Sequence, residues 1–153
     1  MAANPFAMYG AAYEAVWDGT VDLSNDSFRM VLVGTGYTPN QSADDAWSDI
    51  SANEISGTGY TTNGKPVTLT VSRSGLAVTV DCDDQSWTGS TLSNVAYAVI
   101  VRDADANGAL AGTDIPMWFC ELEDGGSLST TNGPLTVTIN ASGLYVATAG
   151  TAA

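Results

Sequence analysis

Two acidic clusters hold whatever metal or acid–base chemistry this chain could perform. In the first, Asp103, Asp105 and Asn107 alternate ahead of Gly108, and Asp114 closes the segment at the spacing of a calcium loop. Oxygen ligands at alternate positions, with Gly at the bend, suit a hard cation. Leu110 stands where such loops turn an apolar side chain inward. Three features oppose this reading. The residues before Asp103 read as strand rather than helix, the closing ligand is Asp with a shorter arm than Glu, and Asp, Asn and Gly are ordinary turn residues. A solvated hairpin loop is expected, with calcium as the alternative, and no residue is assigned to a metal or cofactor. In the second cluster, Asp81, Asp83 and Asp84 precede Trp87. Paired carboxylates serve glycosidases, and an exposed Trp would stack on a sugar. Spacing along the chain does not set a separation across a cleft, so an acidic β-turn beside a core tryptophan is expected.

Other routes to chemistry are thin. The chain has no histidine, which removes the commonest general base, the Ser-His and Cys-His schemes and most zinc sites. Gly57-Thr58-Gly59 lacks the following helix that would cradle a phosphate. Cys82 shares the apolar face of Leu76–Cys82, and Cys120 shares one with Trp118 and Leu122. Both are expected in the core as small hydrophobes, with a disulfide as the rival reading. No catalytic residue is assigned, and the chain is not expected to be an enzyme.

Charge narrows the partners. Four basic residues, Arg29, Lys65, Arg73 and Arg102, face seventeen acidic ones, for a formal charge of −13. Nucleic acid requires clustered cations to neutralise phosphates, and an anionic membrane surface requires the same. Neither partner is expected. The acidity serves solubility or attracts a basic protein surface. With only 14% of residues charged, the outer faces must be small and neutral, which leaves room for protein contacts. No basic stretch precedes the first apolar residues and no run reaches membrane-spanning length, so neither a signal peptide nor an anchor is expected.

The elements that must position these residues are nearly all strands. At 153 residues a single β-domain is expected over 1–153, with 1–12 as a candidate N-terminal docking arm and 148–153 as a frayed tail. Asn4-Pro5 resembles a helix start, and Phe6–Tyr9 a short helix or an arm, docked on its own domain or on a neighbour. Tyr13, Ala15 and Trp17 alternate as a strand that turns at Asp18-Gly19 and returns through Thr20–Leu23. Phe28–Val33 is a strand with Phe28, Met30 and Leu32 on one face. Gly34–Lys65 is one long irregular loop, with a helical turn at Ala43–Trp47 capped by Ser42, and Trp47 and Ile50 plugged onto the sheet. Val67–Arg73 and Leu76–Cys82 form a hairpin about Ser74-Gly75. Gln85–Trp87 is short, Val95–Val101 is apolar on both faces, and Met117–Leu122 follows a loop. Leu135, Val137 and Ile139 alternate, and Leu144–Ala147 closes a last hairpin. The expected fold is all-β: a β-sandwich or jelly-roll-like barrel of eight to nine short strands. Its core should include Trp17, Phe28, Leu32, Val80, Trp118 and Ile139.

The blocks Phe28–Val33, Tyr37-Thr38-Pro39-Asn40, Trp47 to Thr61 with its Gly57-Thr58-Gly59-Tyr60, Asp83–Trp87 and Ala96–Val101 occur in an order that resembles a family of small structural proteins of tailed bacteriophages. These are described as virion, head-decoration or fibre-associated proteins. The resemblance spans roughly residues 12–103 and brings no catalytic residues with it. It implies a place in the virion, assembled in the host cytoplasm, where Cys82 and Cys120 would stay reduced. The major capsid protein or other virion proteins are then the partners. A capsid decoration or cement protein bridging capsid subunits is the leading expectation. A fibre or tail-associated adhesion module that binds a host surface glycan is the alternative, and a carbohydrate-active enzyme rests only on the carboxylates. A homo-oligomer, favoured as a trimer, is expected from the apolar Val95–Val101, the charge-poor faces and the arm. The match of trimers to three-fold positions of a shell follows from the resemblance alone.

Overall fold

Phe28–Val33 is rich in branched apolar side chains, and it forms a strand inside the larger sheet, paired on both edges. The computed structural model describes residues 5–151. Within them lie nine strands: β1 (Ala7–Met8), β2 (Ser27–Gly34), β3 (Lys65–Val67), β4 (Thr70–Ser74), β5 (Ala77–Asp81), β6 (Gln85–Asp103), β7 (Pro116–Glu121), β8 (Leu128–Val137) and β9 (Tyr145–Thr148). One helix, α1 (Gly10–Trp17), and two 3-10 turns at Trp47–Asp49 and Ser51–Asn53 complete the elements. Strand accounts for 44% and helix for 10%, so the fold is all-β, as the alternating patterns predict.

The larger sheet runs β1-β7-β6-β2-β3, with β8 paired to β6, and the smaller runs β4-β5-β9. Every pairing is antiparallel. The chain crosses between sheets at Thr68-Leu69, since β3 pairs with β2 while β4 pairs with β5. Strand β2 buries Phe28, Met30, Val31, Leu32 and Val33, so both of its faces are covered. Each such side chain contributes about 1.5–3 kcal/mol by leaving water. Phe28, Leu32, Val80, Trp118 and Ile139 lie in the core as expected, and so do Trp47 and Ile50. Gly64 lets the long loop seat on β2: a Cβ there would lie 2.0 Å from the Met30 carbonyl oxygen.

Several sequence expectations are corrected. Residues Tyr13–Trp17 are helical, not a strand. Ala12, Ala15 and Val16 face the core at helical spacing, while Tyr13 and Trp17, one turn apart, face out. Trp17 is therefore not a core residue; it is 76% exposed. Asp18-Gly19 ends this helix instead of turning a hairpin. Gly19 has φ +81° and Val21 N–H donates back to the Ala15 carbonyl at 3.0 Å. A left-handed glycine serves a helix end as well as a type I′ turn, which is why the pair misleads.

The strands also differ in extent. Gln85–Trp87 and Val95–Val101 belong to one nineteen-residue strand, β6. Its register against β8 shifts after Trp87, Ser90 and Leu92, and Asn94 has φ +57°; these bulges interrupt the alternation that would have joined the two halves. Val95–Val101 is paired on both edges by β2 and β7, and all of its side chains except half-buried Tyr97 are buried within the chain itself, so no partner is needed there. The helical turn begins at Trp47, not Ala43, and Ser42 donates to Asn40 rather than capping it. Strand β9 pairs with β5 and makes no hairpin with β8. Thr148 belongs to β9 and Ala149 N–H donates to Leu76 O, so these two residues of the expected frayed tail are held, and residues 152–153 lie outside the described residues. Phe6, Met8 and Tyr9 are buried against their own domain, with β1 paired to Trp118 and Phe119, which makes the arm an integral part of the larger sheet. The Asn4 end of the proposed helix start lies outside the described residues.

Candidate functional site

The Asp103–Asp114 segment is a closed loop whose own backbone occupies the carboxylates. Asp103 and Asp114 are both 3% exposed. Asp103 accepts from Asn107 N–H at 3.3 Å and Gly108 N–H at 2.8 Å. Asp114 accepts from Ala104 N–H at 3.3 Å and Ala111 N–H at 2.8 Å. Asn107 folds back on Ala109 N–H, and Asp105 faces solvent. Buried carboxylates that accept several N–H bonds are anchors for a loop. Their oxygens converge on amides, and among the described residues no group of three acidic, Cys or His side chains forms a metal-ligand set.

Asp81, Asp83 and Asp84 border an open recess of about 460 Å³ with Ile139 and Asn140. Asp81 accepts from Cys82 N–H and Asp84 from Ile139 N–H at 2.7 Å. Trp87 is buried, 1% exposed, beneath Tyr60 and with Lys65 Nζ 5.5 Å from its ring centroid. It is a core residue and offers no surface to a sugar.

Cys82 and Cys120 are buried and unbridged. Burial pushes both thiols up to about 12, helped at Cys82 by the charges of Asp81, Asp83 and Asp84. A thiol so far from its thiolate is a poor nucleophile. Tyr9, Tyr37 and Asp44 form a buried hydrogen-bond chain, and burial holds both phenols far above the usual tyrosine value.

What remains is a surface that sequence reasoning missed. An apolar groove of about 270 Å³ opens between α1 and the inner face of the small sheet. Trp118 forms part of its lining, with its indole N–H lacking a hydrogen-bond partner in the described chain. Val78 and Val80 of β5 stand opposite Ala147 and Tyr145 of β9 along one wall. Leu76, 51% exposed, and the edge-on pair Tyr13 and Trp17 form the open end, with ring centroids 6.1 Å apart. No charged side chain lines it. Contiguous exposed apolar surface of this kind marks an interaction site. The signal in the sequence was the spacing of Ala12, Ala15 and Val16, which turns Tyr13 and Trp17 outward once the segment is read as a helix. Among the described residues no helix is long and apolar enough to cross a membrane. No protein family, curated protein or solved structure matches the chain.

Proposed function

We propose that this chain is a structural protein of a bacteriophage particle, a capsid decoration or cement protein that bridges capsid subunits. The observation that carries this reading is the uncharged groove at α1, with Trp17 76% exposed, on a β-framework that buries Asp103, Asp114, Cys82 and Cys120. The resemblance of the Trp47–Thr61 and neighbouring blocks to phage virion proteins supports it. Partners are then the major capsid protein or other virion proteins. A trimer is the copy arrangement that three-fold positions of a shell would impose, since the apolar strand and the arm that suggested contact between copies are covered within one chain. Reconstruction of intact particles tests the reading: hundreds of copies on the head are expected, and absence from the particle would overturn it.

The exposed Tyr13–Trp17 pair also favours a second reading, a fibre or tail-associated adhesion module stacking on a host surface glycan. A handful of copies per particle, with glycan binding lost in Trp17→Ala, would select it.

A further inference from the structure

We propose that the groove receives an extended segment of a basic protein, which adds as a strand along the free edge of β9. Its alternate apolar side chains enter the groove, and its Lys or Arg residues lie against the acidic rim. This rests on the structural reading above and supplies the chemistry of the partner.

The edge is open. Among the described residues β9 pairs only with β5, and Tyr145-Val146-Ala147-Thr148 carries no Pro, Lys or Glu. Those are the residues that ordinarily guard an edge against strand addition. A strand joining there uses unpaired backbone groups for affinity and its alternate side chains for selectivity. On the inner face of β9, Tyr145 and Ala147 already line the groove, with Trp118 deeper in. The added strand would continue that wall toward exposed Trp17.

Charge selects the occupant. Glu14 and Asp18 flank the open end in α1 and at its terminus, and Asp22 adjoins the groove residue Leu23. Their hydrogen bonds with Thr20, and with Asn25 and Ser24, hold Asp18 and Asp22 below the usual carboxylate range. Of the four cations only Arg73, exposed on β4 opposite the groove residue Val78, stands near the groove, against three carboxylates. Arg29 donates to Asn63 and Gly64 carbonyls, Lys65 to Ser86 O, and Arg73 to Gly75 O. Arg102 pairs with Asp26 at 2.7 Å, the one ion pair among the described residues. A second copy would bring another −13 to the contact, so like charges oppose self-association, whereas a basic segment is drawn in.

Two synthetic peptides with one alternating Val-Thr centre, flanked by Lys in one and by Glu in the other, test this on the full chain. Titration followed by amide NMR shifts should show the Lys-flanked peptide binding at least about tenfold tighter, equivalent to about 1.4 kcal/mol. The preference should shrink in about 0.5 M salt, where the Debye length is only a few ångströms. Shifts should concentrate on β9 and α1. Trp17→Ser, with an unchanged circular dichroism spectrum, should weaken the Lys-flanked peptide by a similar factor. Equal binding of both peptides, no binding of the Lys-flanked one, or shifts on other strands would overturn the proposal. So would Trp17-dependent self-association of the chain in sedimentation, which would make a second copy the occupant. The peptide result does not depend on whether particles carry the protein, so this inference and the virion reading fail separately.

Discussion

The hydroxyls of Tyr9 and Tyr37 meet at 2.6 Å, and Tyr37 in turn donates to Asp44 Oδ2, also at 2.6 Å. With the Tyr37 proton on Asp44, Tyr9 is the donor to Tyr37. This relay ties the segment before α1 to the long loop, together with Gly10 N–H on Gln41 O and Gln41 Nε2 on Met8 O. Tyr37→Phe leaves the Tyr9 hydroxyl without its partner and Asp44 with Asn40 N–H alone, and urea denaturation should show a loss of about 1–3 kcal/mol. Tyr9→Phe should cost less, because Tyr37 keeps its carboxylate.

Asp114 holds Ala104 and Ala111 amides, and Asp103 holds those of Asn107 and Gly108. Asp114→Ala should lower stability by about 1–3 kcal/mol through buried N–H groups left without acceptors. Thermal melts in calcium and in chelator should coincide. A calcium-dependent rise in Tm would show that the loop releases these amides to bind an ion.

The thiols set an alkaline limit. Cys82 and Cys120 keep their protons to about 12, whereas the unfolded chain releases them near the ordinary value of 9.0. Between those values the native state binds more protons than the unfolded one, so stability falls as pH rises through the window. Buried tyrosines act with the same sign. The double variant Cys82→Ala, Cys120→Ala should therefore show a shallower loss of stability between pH 9 and 12. In the native protein at neutral pH a maleimide reagent should label neither thiol, and after denaturation it should label both.

Two tryptophans should respond oppositely to truncation. Trp118 is fully buried against Tyr145 at 6.0 Å between ring centroids, and Trp118→Ala should cost about 3–5 kcal/mol. Trp17→Ser removes an exposed side chain and should change stability by no more than about 0.5 kcal/mol. Guanidinium titrations of the two variants distinguish a core residue from a docking one.

The strand class was legible because β2 and the Leu135–Ile139 segment alternate or cluster branched residues as sheet packing demands. The helix was not. In Ala12–Trp17 the two-residue period groups Tyr13, Ala15 and Trp17, whereas the helical face groups Ala12, Ala15 and Val16, and the large aromatics make the first grouping look like the buried one. The length of β6 was hidden by Asn94 and by the bulges near Ser90, where extra residues break the period without breaking the strand. The acidic loops were visible as turns, but their hydrogen bonds to amides ten or more residues away in some cases, such as Asp84 to Ile139, belong to tertiary structure. The groove was invisible for the same reason. Leu76 and Trp17 are ordinary apolar residues in sequence, and only the gap between α1 and the small sheet leaves them uncovered.

The placement of the four cations has a consequence for proteases. Trypsin needs an accessible Lys or Arg, and it does not cut where Pro follows. Lys65 precedes Pro66, and Arg29 and Arg102 are half-buried within β2 and β6. Arg73 alone sits exposed, near the end of β4 and two residues before the Gly75-Leu76 turn of an edge hairpin, a turn one residue later than the sequence suggests. Exposed loop tips are where nicking concentrates. The native chain should therefore take a single tryptic cut, between Arg73 and Ser74, and run as two bands on a denaturing gel. Because β1 and β2 lie on one side of that cut and their respective partners β7 and β6 on the other, the nicked halves should still elute together at the mass of the intact protein.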